Sequence, residues 1–194
     1  MAAFVLGNGV SRKSIDINQL LKLGPVYGCN ALYRTHTPTV LVATDRPIST
    51  EIQQSGYAKN NRFHTRRPES DSGALDVPKM YFGFSSGPIA TSLAASDGNP
   101  RVYLLGFDMG PTENGKFNNI YADTEFYKKS DATPTFSGNW IKQICQIARD
   151  FKGTRFIRVH GATTANVPEF DSVKNMEKMD LIDFVARINN PKDL

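Results

Sequence analysis

Five short apolar runs, each ending in a small or polar turn, constrain this chain more than any other feature. They cover residues 3–6, 25–29, 40–44, 101–107 and 154–159. None alternates as a strand with one wet face does. Continuous apolar runs suit strands covered on both faces, and those are chiefly the parallel strands of α/β proteins. Helical signals fill the gaps. Asp16 caps a helix over about 17–23 with Gly24 as its terminator, and Pro47 suits the first turn of a helix reaching Gln54 and stopped by Gly56. Ser85-Ser86-Gly87-Pro88 opens a helix of small residues over 89–96, closed by Asp97-Gly98. Trp140, Ile141, Ile144, Cys145, Ala148 and Phe151 mark one face of an amphipathic helix. Asp180 and Asp183 start a last one with the stripe Leu181, Phe184, Val185, Ile188.

Residues 60–77 read as a polar, basic loop with a small strand at 62–64, and 79–84 as a return to strand. Residues 108–137 have no sustained periodicity, and a loop that long inside a compact domain is usually functional or mobile. The expectation is one α/β domain over 1–194: a Rossmann-like open, mostly parallel sheet, helices on both faces, and a lid-like insertion at about 108–137.

At 194 residues, 40% hydrophobic and 22% charged, the chain can bury one core. No window reaches the eighteen or so apolar residues of a membrane span, and the opening Met-Ala-Ala-Phe-Val-Leu-Gly reads as a buried strand rather than a signal peptide. Cys29 and Cys145 both sit in apolar stretches and read as buried free thiols, the usage of a reducing, cytoplasmic setting. No Cys/His spacing suggests zinc, and no metal or cofactor is expected. The net charge of +4, spread over 62–67, Lys128-Lys129, Lys152, Arg155 and Arg158, favours an anionic ligand but not specific nucleic-acid binding. The Arg66-Arg67 pair reads as a solvated basic face.

Ligands of open parallel sheets bind outside the carboxyl ends of the strands. The residues just past the expected strands are Gly7-Asn8-Gly9 with Ser11, then Asn30, Asp45, Ser85-Ser86-Gly87, Gly106-Phe107-Asp108 and His160. Glycines allow close backbone approach, exposed amides and a helix N-terminus bond anionic oxygens, and Asn8 and Asn30 can both donate and accept. Asp45 and Asp108 could accept from sugar hydroxyls or hold a cation. Each element also has a plain structural role: an ordinary turn for Gly-Asn-Gly, a helix cap for Ser86-Gly87, a local turn for Asp108. The Walker motif is absent, and Arg12 breaks Gly-x-Gly-x-x-Gly.

Three stretches carry a resemblance. Phe-Val-Leu-Gly-Asn-Gly-Val-Ser over 4–11, Cys29-Asn30-Ala31-Leu32-Tyr33, and Ser85-Ser86-Gly87 followed by Val-Tyr-Leu-Leu-Gly-Phe-Asp over 102–108 resemble the bacterial sialyltransferases of glycosyltransferase family 42. The order agrees from about residue 4 to 159. A group of domain-of-unknown-function proteins similar to the archaeal pterin pyrophosphokinase shares the Gly-Asn-Gly-x-Ser opening, and small proteins of this kind occur in tailed bacteriophages. The resemblance implies a CMP-sugar site without metal. Asn8, Gly9 and Asn30 would meet phosphate and ribose, Asp45 would lie near the nucleotide, and Ser86, Gly87, Gly106 and Asp108 would contact the nucleoside. The family's catalytic residues are not matched. Gly110 stands where it has a tyrosine, its second tyrosine corresponds to Phe117 or Tyr121, and its histidine falls near Thr135; no histidine occurs from 65 to 159. Tyr121, Asp123 and His160 are the catalytic candidates that remain.

Three readings follow. One is a glycosyltransferase-like protein binding a nucleotide or nucleotide sugar and transferring the sugar to an acceptor glycan. Another is a non-catalytic nucleotide-binding protein. The third is a phage structural module on the same fold.

Overall fold

The first apolar run becomes a strand, β1 (Ala2–Leu6), buried on both faces from end to end. Ala3 and Val5 enter one apolar cluster, while Ala2, Phe4 and Leu6 enter another on the opposite face. The computed structural model describes residues 2–194; Met1 of the expected domain lies outside them. The next apolar runs form β2 (Val26–Cys29) and β3 (Val40–Val42), followed by the short β4 (Phe63–Thr65) and β5 (Leu75–Asp76). Beyond these come β6 (Arg101–Leu105), β7 (Arg155–His160) and β8 (Met176–Asp180).

All eight lie in one sheet in the order β5-β4-β3-β2-β1-β6-β7-β8, and every neighbouring pair is parallel. Such pairing needs crossovers; five of the six helices supply most of them, and the sixth follows the last strand. The helices are α1 (Ile17–Leu23), α2 (Arg46–Gln54), α3 (Ser86–Ser96), α4 (Gly138–Asp150), α5 (Pro168–Asp171) and α6 (Leu181–Asn189). Buried side chains of α3, α4 and α5 share the cluster of Ala3 and Val5; those of α1, α2 and α6 share that of Phe4 and Leu6. The result is the doubly wound, Rossmann-like sheet with helices on both faces. Asp16 caps α1 by accepting from the Asn18 amide at 2.9 Å. α3 is buried along almost its whole length, because Ala90, Ser92, Ala94 and Ala95 let it lie close against the central strands. No helix of the described residues is long and apolar enough to cross a membrane.

Residues 79–84 depart from expectation. They form a 3-10 turn, Lys79–Tyr81, not a strand. The apolar residues pointing inward, Tyr81 and Phe84, are three apart, as in a helical turn, and their rings meet at 5.1 Å. Met80 and Phe82 stay exposed. Three further elements escape the apolar pattern, the first being β5, an exposed two-residue strand inside the loop expected over 60–77. The β8 strand, Met-Glu-Lys-Met-Asp, is a charged edge strand with both glutamate and lysine in solvent, and α5 is a single turn begun by Pro168. Residues 108–137 contain neither helix nor strand and fold over the carboxyl ends of the central strands.

Candidate functional site

Strands after β1 run to one side of the sheet and strands after β6 to the other. The loops leaving these two neighbours therefore part, and a crevice opens between them, where doubly wound sheets bind ligands. It is a cleft of about 330 Å³. Of the residues expected to bind a nucleotide, Gly7, Asn8, Gly9, Asn30, Asp45, Ser86, Gly87, Gly106 and Asp108 all line it. Ser11 does not; it is bonded to Asp108 behind the wall.

The Gly-Asn-Gly turn differs in mechanism from the phosphate cradle anticipated for it. The amides of both its glycines are used inside the protein. Gly7 N donates to Leu105 O and Gly9 N to Gly106 O, both at 2.8 Å. Val10 N donates to Asn118 Oδ1 at 2.9 Å and Ser11 N to Asp108 Oδ2 at 3.1 Å. The glycines serve the same junction. A Cβ on Gly7 would stand 2.5 Å from the Gly106 carbonyl oxygen, and one on Gly9 2.4 Å from the Asp108 carboxyl carbon. Close approach is real here, but it is of chain to chain. What the turn offers the cleft is Asn8, half-buried with its Oδ1 3.5 Å from Cys29 Sγ. The Cys29 thiol is buried and pushed up to about 12 by burial, with the Arg12 guanidinium opposing; Cys145 is likewise free and buried.

Asp108 is 3% exposed, and its carboxylate is fully engaged. It accepts from Ser11 N, Asn118 Nδ2 (3.0 Å) and Thr163 Oγ1 (2.7 Å) on Oδ2, and from Ser11 Oγ and Thr164 Oγ1 (3.3 Å) on Oδ1. This carboxylate joins the first turn, the lid and the loop after β7 rather than presenting lone pairs to a ligand. Two buried guanidiniums brace the same region. Arg158, 2% exposed, donates to the carbonyls of Phe107, Asp108 and Ala165, and burial holds its pKa down at about 10. Arg12, 4% exposed, bonds Gly7 O and, at 3.1 Å, the Tyr121 hydroxyl.

Other groups remain open to a ligand. Asn30 stands at φ 56°, and its Oδ1 is buried without a hydrogen-bond partner. The amides of Ser86 and Gly87 lie in the first turn of α3, where no intrahelical acceptor exists, and both residues border the cleft. The Ser86 hydroxyl is taken by Thr44, whose amide donates to it at 3.0 Å. Asp45 is exposed at the N-terminus of α2, and its side chain makes no capping bond. Arg66 and Lys128 bring positive charge, and neither has a carboxylate partner among the described residues. Phe107, Phe117, Phe126, Tyr127 and Trp140 supply flat apolar wall.

The three side chains expected to do chemistry are not brought together there. The Tyr121 hydroxyl serves Arg12, with the guanidinium 5.9 Å above its ring. Asp123 is exposed and accepts from Ser130 N at 3.1 Å. His160 ends β7, outside the cleft lining, held down to about 4 by burial and by the charges of Arg158 and Lys178. Of the two residues open as the second family tyrosine, Phe117 lines the cleft and Tyr121 does not; Thr135, where the family histidine falls, also lines it.

In the sequence, Arg66 reads as part of a solvated face and Trp140 as part of the apolar stripe of its helix. Arg66 instead lines the cleft, and Trp140 lines it while donating to Ser85 Oγ at 3.0 Å. A tryptophan in the first turn of a helix that follows a long loop was the available signal. Among the described residues, no group of three or more His, Cys, Asp or Glu is placed to hold a metal ion. Comparisons of the chain with protein-family models, curated proteins and solved structures gave no match.

Proposed function

We propose that the cleft binds a nucleotide or nucleotide sugar. One observation carries the reading: at the switch point of a doubly wound sheet, Arg66 and Lys128 line a cleft with aromatic walls and lack carboxylate partners among the described residues. Cations without counter-ions suit phosphate, and aromatic faces suit a base. The first-turn amides of α3 add donors, and the unpartnered Asn30 Oδ1 adds an acceptor for a ligand N–H or O–H. The resemblance to the family 42 sialyltransferases points to a CMP-sugar. A cytoplasmic setting fits the two free, buried thiols.

Transfer of the sugar to an acceptor glycan is the second reading, and Asp45 favours it. It is an exposed carboxylate at the cleft, without a capping bond, whereas Asp108 is saturated by protein donors. As general base it would take the acceptor hydroxyl's proton as the sugar leaves its phosphate.

Thermal shift with CMP, UMP, GMP, AMP and their sugar conjugates tests binding. A ligand at about one hundred times its Kd adds about 2.7 kcal/mol of stability. An unmoved melting point across the panel sinks the proposal. Incubating a bound conjugate with acceptor sugars then separates transfer from binding alone, and Asp45→Asn should abolish the transfer.

A further inference from the structure

The two cleft cations sit on separate parts of the protein. Arg66 follows β4 on the sheet, and its Nε and Nη2 donate to the carbonyls of Phe82 and Phe84 at 2.7 and 2.6 Å. Those bonds fix its plane and leave Nη1 for a ligand. Lys128 belongs to the lid. It stands 5.7 Å over the Phe117 ring, with Nζ 3.5 Å from Thr135 Oγ1, a marginal hydrogen bond. It is exposed and free to turn toward an anion in the cleft.

We infer that Arg66 and Lys128 are a two-sided clamp for a diphosphate, one cation from the body and one from the lid. The inference rests on the nucleotide reading but departs from the single phosphate of a CMP-sugar: its ligand is a nucleoside diphosphate or a diphosphate-linked sugar. A single phosphate can be held by the α3 amides and the Arg66 fork alone, all on the body of the protein. A second phosphate supplies the oxygens Lys128 lacks and fastens the lid onto the ligand. Guanidinium and ammonium divide the work as their chemistry suggests: a fixed planar fork on the rigid side, a mobile point charge on the lid.

Calorimetry of the full chain tests this with nucleoside mono- and diphosphates of each base, and with orthophosphate and pyrophosphate. The expected result is a diphosphate bound at least about tenfold tighter than the monophosphate of the same base, one decade in Kd. Lys128→Met should collapse the preference to below about threefold, and Lys128→Arg should restore it; Lys128 is exposed, so neither change endangers the fold. Equal binding of mono- and diphosphate overturns the clamp and leaves the nucleotide reading standing. A Lys128-dependent preference for pyrophosphate, with no nucleotide bound, supports the clamp and removes the nucleotide reading. Silence from every probe overturns both.

Discussion

Ser11 and Asp108 tie the two halves of the sheet together at its centre. The Ser11 amide donates to Asp108 Oδ2 at 3.1 Å, and its hydroxyl donates to Oδ1. One residue follows β1 and the other follows β6, the two strands from which the chain winds in opposite directions. A bond between them holds shut the base of the crevice whose upper part is the cleft.

The donors around Asp108 predict an order of stability. In Asp108→Asn the amide nitrogen can take the Oδ1 position, where the Ser11 and Thr164 hydroxyls can turn to accept. Oδ2 keeps Ser11 N, Asn118 Nδ2 and Thr163. The loss is then mainly charge, about 1–3 kcal/mol. Asp108→Ala leaves the Ser11 amide and one N–H of the Asn118 side chain without an acceptor, the other N–H keeping Gly110 O, and should cost about 3–5 kcal/mol. Urea unfolding of the two variants measures the difference. Equal losses would mean that the negative charge, and not the hydrogen bonds and volume that asparagine keeps, carries the stabilisation.

Two glycines of the same cleft should respond oppositely to alanine. At Gly9 the new methyl meets the Asp108 carboxyl carbon at 2.4 Å and the Gly106 carbonyl oxygen at 2.7 Å, both in tightly bonded groups. Overpacking of this kind costs about 1–3 kcal/mol. At Gly87 the methyl meets only the Phe107 ring at 3.4 Å, an ordinary contact, in the first turn of α3. There alanine gains up to about 1 kcal/mol of helix propensity. Melting temperatures should fall for Gly9→Ala and hold or rise for Gly87→Ala.

Much of this architecture is legible in the sequence because burial on both faces leaves a mark. Val-Leu-Val in β3 and Val-Tyr-Leu-Leu in β6 contain nothing to face water. β8 leaves no such mark, since an edge strand with one open side tolerates Glu177 and Lys178 and reads as loop. The position of the cleft is legible too, because strand ends and turn residues can be placed by order alone. The tasks of its side chains are not. Nothing near Asp108 in sequence shows that Thr163 and Thr164, more than fifty residues on, saturate its carboxylate. Arg66 reads as surface because its partners are carbonyls, and carbonyls carry no sequence identity.

His160 should make stability fall in acid. Burial first, then Arg158 and Lys178, hold its pKa near 4, against about 6.5 unfolded. Between those values the unfolded chain binds the extra proton, so stability is full above about pH 6.5 and declines as pH drops toward 4. His64, also lowered by burial, acts in the same direction. His160→Gln should therefore flatten part of the decline in urea midpoint between pH 7 and 4.5, leaving the share of His64. An unchanged slope would place the titration elsewhere.

Asn30 offers the sharpest separation of binding from folding. Its side-chain oxygen is buried with no partner, a cost to the free protein, and its backbone is left-handed at φ 56°. Glycine accepts that backbone without strain, and removing the orphan acceptor offsets the added freedom of the unfolded chain. Asn30→Gly should leave stability within about 1 kcal/mol of the parent. If a ligand N–H or O–H satisfies Oδ1, the same change should weaken nucleotide binding about tenfold, the cost of one hydrogen bond made only in the complex. Calorimetry beside urea unfolding reads both quantities from one preparation. A variant that keeps its affinity would show that the ligand makes no bond to Oδ1, and the pose would have to lie toward α3 and the lid.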